Sequence, residues 1–174
     1  MGHTAARYAF AAYHHVGADA VTLSPFLGAD SLAPFVSDPT KGAFLLCHTS
    51  NEGAADWQRQ KIEGEAVYMR VARWAPTVSS HPNVGLVAGA TRPDVIKEIR
   101  QAAPTLPLLI PGVGAQKGDL AATVRAAYGA PYFINASRSI MGASRGRDFA
   151  DAAAEAAAAL HQAILQAEEA LVSS

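Results

Sequence analysis

The sequence predicts an α/β fold in which parallel strands alternate with helices. Three observations carry that expectation. Five short apolar runs rich in β-type residues are each followed by turn residues, and a helical pattern follows in turn. Two of the runs break directly into small and polar residues, as expected where parallel strands deliver their carboxyl ends to a ligand.

In chain order, the first helix is marked by the apolar stripe Tyr8, Ala9, Ala12, Tyr13 and Val16, with Thr4 as its candidate cap. Strands are expected over 18–23, 43–47, 84–88, 106–110 and 132–136. Between them, Thr91-Arg-Pro-Asp opens a helix with a cap and an early proline, and Val95, Ile96, Ile99 and Ala103 form its buried stripe before Pro104 stops it. Asp119 caps a helix bearing Leu120, Val124 and Ala127, which Gly129 ends. Residues 148–172, dominated by Ala, Leu, Glu and Gln without internal Gly or Pro, form a long packing helix. Residues 77–83 read as a polar loop. This alternation suits either an open doubly wound sheet or a (β/α) barrel, and a closed barrel needs eight strands and about 250 residues.

The 174 residues are enough for a single domain with a core, and half of them are apolar. The formal charge of −1, from 14 basic and 15 acidic residues without a basic run, argues against a nucleic-acid partner. Cys47 is the lone cysteine, so no internal disulfide forms and nothing points to an oxidising compartment. No apolar run approaches the roughly 20 residues that cross a bilayer, and no signal peptide opens the chain. The expected location is the cytoplasm, without a membrane partner.

The chemistry concentrates in Leu108-Leu-Ile-Pro-Gly-Val-Gly-Ala-Gln-Lys-Gly118 and Tyr132-Phe-Ile-Asn-Ala-Ser-Arg-Ser-Ile140. Glycines let the backbone approach a ligand, while Gln116 and Arg138 supply directed donors, a combination suited to phosphate. These segments resemble the last two strand ends of the orotidine 5′-phosphate decarboxylases. Phe44-Leu-Leu-Cys-His-Thr-Ser-Asn-Glu-Gly53 resembles the segment after the fifth barrel strand in their bacterial subfamily. Ala18-Asp-Ala-Val-Thr-Leu-Ser-Pro-Phe-Leu-Gly28 matches the fourth, and Gly85-Leu-Val-Ala-Gly-Ala-Thr91 the sixth.

The resemblance implies a (β/α)8 TIM barrel, of which the C-terminal five βα units are present. It implies decarboxylation of orotidine 5′-monophosphate to uridine 5′-monophosphate in pyrimidine biosynthesis, without metal or organic cofactor, by a homodimer. By position it makes Ser50 a contact to the pyrimidine ring, Pro111 a wall of its pocket and Gln116 a lid residue. Arg138 becomes the phosphate clamp beside the backbone of Ser137, and Thr4 reaches toward the partner subunit's ligand. A closed lid would exclude water and direct remote phosphate binding energy to the reacting centre.

The departure lies at the other end. In the family an aspartate crowds the substrate carboxylate and a lysine protonates the carbanion, on an Asp-x-Lys-x-x-Asp motif at the third strand. No such motif occurs in this sequence, as the neighbours of Lys41, Lys61, Lys97 and Lys117 show. Met1 falls where the residue after the motif's final aspartate should stand, so the resemblance sets the lysine–aspartate network before Met1 and leaves no catalytic residue in this chain. Lys117 stands where the family usually has a glycine, which makes the lid bulkier. The expectation is an N-terminal truncation of about three βα units and a fragment inactive alone. Two other readings stand beside this one: a nucleotide-phosphate-binding fragment that needs a partner chain, and a sister sugar-phosphate barrel enzyme.

Several residues have plainer readings. A capping box at Ser50 would want Glu or Gln at position 53, which is Gly53, so the ligand role gains. His14 and His15 are adjacent and point to different helix faces, a poor arrangement for one metal. His48 ends a strand beside the expected pocket and would titrate near neutral pH, although the family chemistry uses no histidine base. Cys47 reads as a buried strand residue, and Trp57 and Trp74 as core or interface.

Overall fold

The computed structural model describes residues 2–113 and 118–173. Its strands are β1 (Ala20–Leu23), β2 (Gly42–His48), β3 (Lys61–Ile62), β4 (Glu65–Ala66), β5 (Val84–Ala88), β6 (Leu108–Pro111) and β7 (Tyr132–Asn135). Its helices are α1 (Gly2–Phe10), α2 (Ala29–Val36), α3 (Ala54–Trp57), α4 (Val67–Trp74), α5 (Pro93–Ala102), α6 (Leu120–Ala127), α7 (Ser137–Met141) and α8 (Phe149–Val172). All five expected strands are present. The antiparallel pair β3–β4 is an addition; its two-residue arms are too short to leave a periodic signal.

The five long strands form one parallel sheet in the order β1-β2-β5-β6-β7. Each new strand is added at the same edge, so the order never reverses, as it would at the switch point of a doubly wound sheet. The winding is that of a barrel wall. Leu45, Leu86, Leu108 and Ile110 are fully buried in the main core, packed with Val95, Ile96 and Ile99 of α5 and Ala127 of α6.

The other face carries a row set by the register, Leu46 beside Val87, Leu109 and Phe133, with Phe44 one step below. Phe133 is 56% exposed. Phe44 and Phe133 lie on strands separated by two others, which a flat sheet would hold roughly 14 Å apart at the usual strand spacing. Their ring centroids are 6.0 Å apart. The sheet therefore curls strongly around this apolar face. Gly85 permits it, because a Cβ there would stand 2.6 Å from the Phe44 ring.

Element ends differ from the sequence expectations for identifiable reasons. Ala18 belongs to the end of the first helix, its N–H bonding Ala12, so the strand starts at Ala20. Pro107 has no N–H for the ladder, and the strand expected from 106 starts at Leu108. The strand expected to end at 136 stops at Asn135, because Ala136 turns the chain into α7. Pro93 opens α5 as expected, but Arg92 rather than Thr91 holds the cap position, without a side-chain cap, and pairs with Asp94 at 2.6 Å. Asp119 caps α6 by accepting from the Ala122 N–H at 3.0 Å, and Gly129 follows the helix with φ +104°.

The first helix buries Ala5, Ala9 and Tyr13 against Phe35. Tyr8 and Val16 are 67% and 79% exposed, so two positions of the expected stripe face outward. An irregular wide turn at Ala11–His15 shifts the phase of the helix there. Thr4 lies inside α1 rather than at its cap. Trp57 is 69% exposed and so is no core residue, whereas Trp74 packs partly against the main core.

Two polar side chains tie the sheet's amino-terminal edge together. Asn83, in the stretch read as a plain polar loop, donates to the carbonyls of Val36, Asp38 and Lys41 at 2.9–3.1 Å and accepts from the Ser79 hydroxyl. Arg100 is buried at the end of α5 and donates to the carbonyls of Leu106 (2.7 Å), Ala127 (3.0 Å) and Pro131 (3.2 Å). Burial lowers its pKa, and the carbonyl ring satisfies the charge it retains.

Candidate functional site

The parallel sheet brings the carboxyl ends of β2, β5, β6 and β7 side by side, where a strand-to-helix fold positions ligand-binding loops. At the β6–β7 end, Pro111 pairs with Asn135. These two residues, with Gly112, Val113, Ala136, Ser137, Arg138 and Ser139, line a cavity of about 180 Å³. Ser137 and Arg138 open α7 directly after β7 and are exposed, so a guanidinium fork and a hydroxyl face the same space as the Asn135 amide. That donor set suits a small oxyanion. Gln116, the expected lid residue, and Lys117 lie outside the described residues. The chain returns beyond them at Gly118, whose N–H bonds the Gly112 carbonyl at 3.2 Å and which bridges to Val113.

The line of strand ends continues toward Ser50. The Ala90 N–H bonds the Pro111 carbonyl at 2.8 Å, and the Gly89 N–H bonds the His48 carbonyl at 2.7 Å. Ser50 packs directly on Gly89, where a Cβ would stand 2.6 Å from the Ser50 nitrogen. Ser50, Pro111, Ser137 and Arg138 thus lie along one continuous edge. Thr4 is not among them. It sits on the exposed side of α1, lining a separate cavity with Tyr8, Leu23 and Leu27.

Met1, the residue before which the resemblance sets the lysine–aspartate network, also lies outside the described residues. Lys41 does pair with Asp19, at 3.4 Å. These two residues precede β2 and β1, however, which puts the pair at the amino-terminal edge of the sheet, opposite the strand ends that carry Ser50 and Arg138.

His48 is turned away from the ligand face. Leu46 pairs with Val87 and His48 with Ala88, so Cys47 is an extra residue in β2, a bulge that rotates the strand end. The alternation that puts Phe44 and Leu46 on the open face would put His48 there too. The bulge buries it completely on the helix side instead, its ring edge-on to Tyr68 of α4. Its Nε2 accepts from the Arg59 Nε at 3.2 Å, while Nδ1 has no partner among the described residues. Desolvation, then the charges of Arg59 and Arg92, push its pKa down to about 4. The expected titration near neutrality is therefore overturned. Cys47 is the buried strand residue expected, and burial pushes its thiol up to about 12. Tyr68, hydrogen-bonded to Glu98, is pushed up to about 12 mainly by burial.

Sequence reasoning missed Asn135, which stands inside a quoted motif without a role, and Gln58, whose side chain reaches back nine residues to Thr49. No local pattern announces such a reach. No helix among the described residues is long and apolar enough to cross a membrane.

Sheet winding and site define a (β/α)-barrel wall with a polar cavity at its strand carboxyl ends. The family model described as orotidine 5′-phosphate decarboxylase / HUMPS family matches residues 1–156. A protein from Variovorax paradoxus named orotidine 5′-phosphate decarboxylase is 52% identical over 171 residues, covering 94% of this chain and 62% of its own length. A protein of the same name from Polaromonas naphthalenivorans is 54% identical over 160 residues, covering 88% and 57%. Among solved structures, Leishmania donovani UMP synthase superposes with a TM-score of 0.82 at 41% identity, covering 92% of this chain and 36% of that one. Leishmania donovani OMP decarboxylase gives 0.79 at 38%, covering 93% and 64%. The chain belongs to the orotidine 5′-phosphate decarboxylase / HUMPS family and spans about three fifths of the length of these curated relatives.

Proposed function

We propose that this chain forms the substrate-gripping side of an orotidine 5′-phosphate decarboxylase, a carbon–carbon lyase of pyrimidine biosynthesis acting in the cytoplasm. The observation that carries this reading is the continuous edge from Ser50 through Gly89 and Pro111 to Ser137 and Arg138. One ligand lying along this edge would meet a planar-ring contact at one end and an oxyanion clamp at the other. Ser50 and Pro111 hold the pyrimidine, and Ser137 and Arg138 the 5′-phosphate. The relatives from Variovorax and Polaromonas carry the decarboxylase name at about half identity, which favours the nucleotide substrate over a sugar phosphate.

The chain acts as one partial-barrel domain, and two copies associate so that Thr4 approaches the neighbouring ligand. The residues that would react with the substrate carboxylate are not encoded here, because no Asp-x-Lys-x-x-Asp motif is present. A binding-only role for the chain by itself, completed by a partner polypeptide, is supported by the exposed Phe133 at the end of the apolar row and by the unpaired outer edges of β1 and β7 among the described residues.

Calorimetric titration with uridine 5′-monophosphate tests the grip. Arg138→Ala should weaken binding by about 2–3 kcal/mol, the worth of a charge-assisted bidentate contact. Equal affinity of the two proteins would remove Arg138 from the site.

A further inference from the structure

The segment that ends β2 is held from three sides, more tightly than a surface loop of its size requires. Gln58, directly after α3, closes a two-point amide clamp on Thr49. Its Oε1 accepts the Thr49 backbone N–H at 2.8 Å, and its Nε2 donates to the Thr49 hydroxyl oxygen at 2.9 Å. That hydroxyl in turn donates to the Asn51 side-chain oxygen at 2.6 Å. Gln58 is itself fixed, its N–H bonding the Ala54 carbonyl and its own carbonyl accepting the Tyr68 N–H at 2.9 Å. Arg59 holds His48 on one flank of the segment, and the backbone of Gly89 presses on Ser50 from the neighbouring strand.

Clamping both neighbours of Ser50 leaves that residue little freedom in φ, ψ or height above the sheet. The clamp group is polar and half-buried, acts at the end of β2, and is not among the residues that line the Arg138 cavity at the ends of β6 and β7. We propose that Gln58 is a positioning residue that fixes Ser50 for recognition of a planar heterocyclic amide and so sets the preference for a nucleotide over a bare sugar phosphate. This rests on the reading of Ser50 as a ring contact given above.

The test uses the full chain and two probes, uridine 5′-monophosphate and ribose 5-phosphate, which shares the phosphate end and lacks the base. Amide hydrogen exchange at Thr49 is followed alongside calorimetry in Gln58→Ala, Gln58→Glu and Ser50→Ala. With the clamp removed in Gln58→Ala, the Thr49 amide should exchange faster and nucleotide affinity should fall about tenfold, with ribose 5-phosphate affinity unchanged. Gln58→Glu, which still accepts from the Thr49 N–H, should restore most of both. Unchanged exchange in Gln58→Ala overturns the clamp. An unchanged nucleotide preference in Gln58→Ala, where Ser50→Ala lowers it, overturns the positioning role. An unchanged preference in Ser50→Ala itself overturns the ring contact and the proposal with it, and the exchange data separate that case from a clamp that does not hold.

Discussion

His48 shows how much one inserted residue decides. Strand alternation assigns it to the open face, and the bulge at Cys47 buries it against Tyr68, where the charged imidazolium is disfavoured. The sign of the pH effect follows. The unfolded chain protonates this histidine near its ordinary 6.5 and the folded chain only near 4, so the unfolded state binds the extra proton between those values. Stability contributed by neutral His48 is complete above about 6.5 and lost progressively as pH falls toward 4, by about 1–3 kcal/mol. In His48→Gln, urea denaturation between pH 7 and 4 should show a correspondingly smaller loss; an identical pH profile would mean that His48 titrates normally in the folded chain. The placement of Ser50, Pro111, Ser137 and Arg138 at or just beyond strand ends is legible in the sequence, because each follows an apolar β-type run that the periodicity marks. The bulge and the Gln58 clamp are not legible, since both depend on packing between segments that the local sequence does not encode.

At the scale of elements, the five strands and the helices after them are readable from periodicity, while their ends are set by particular backbone donors such as the one Pro107 lacks. The first helix reads in the wrong phase at its end, because the wide turn at Ala11–His15 breaks the 3.6-residue repeat that the stripe assumes. What joins the elements is hidden altogether. Arg100 links the end of α5 to the end of α6 and to the turns that enter β6 and β7. Replacing its head group leaves several carbonyls without a donor, so Arg100→Met should lower stability by about 2–4 kcal/mol in urea melts. A change within about 0.5 kcal/mol would show that water replaces the guanidinium at little cost. Tyr132 of β7 similarly anchors α8 through Glu168, a contact between positions that share no sequence signature.

For the whole molecule, the monotonic strand order and the 6.0 Å approach of Phe44 to Phe133 are the features that distinguish a barrel wall from an open sheet. Sequence periodicity leaves those two architectures open, because alternation of strand and helix is common to both. The wall has an apolar inner face and two unpaired edges among the described residues, and it carries a polar cavity at its strand ends without the Asp-x-Lys-x-x-Asp motif. On the function proposed above, grip and chemistry fall on different stretches of polypeptide. The most direct test is to follow decarboxylation of orotidine 5′-monophosphate by this chain, by the N-terminal remainder of the Variovorax relative, and by the two co-expressed. Turnover should appear only in the co-expressed pair and should fall with Arg138→Ala in this chain. Turnover by this chain alone would contradict the account.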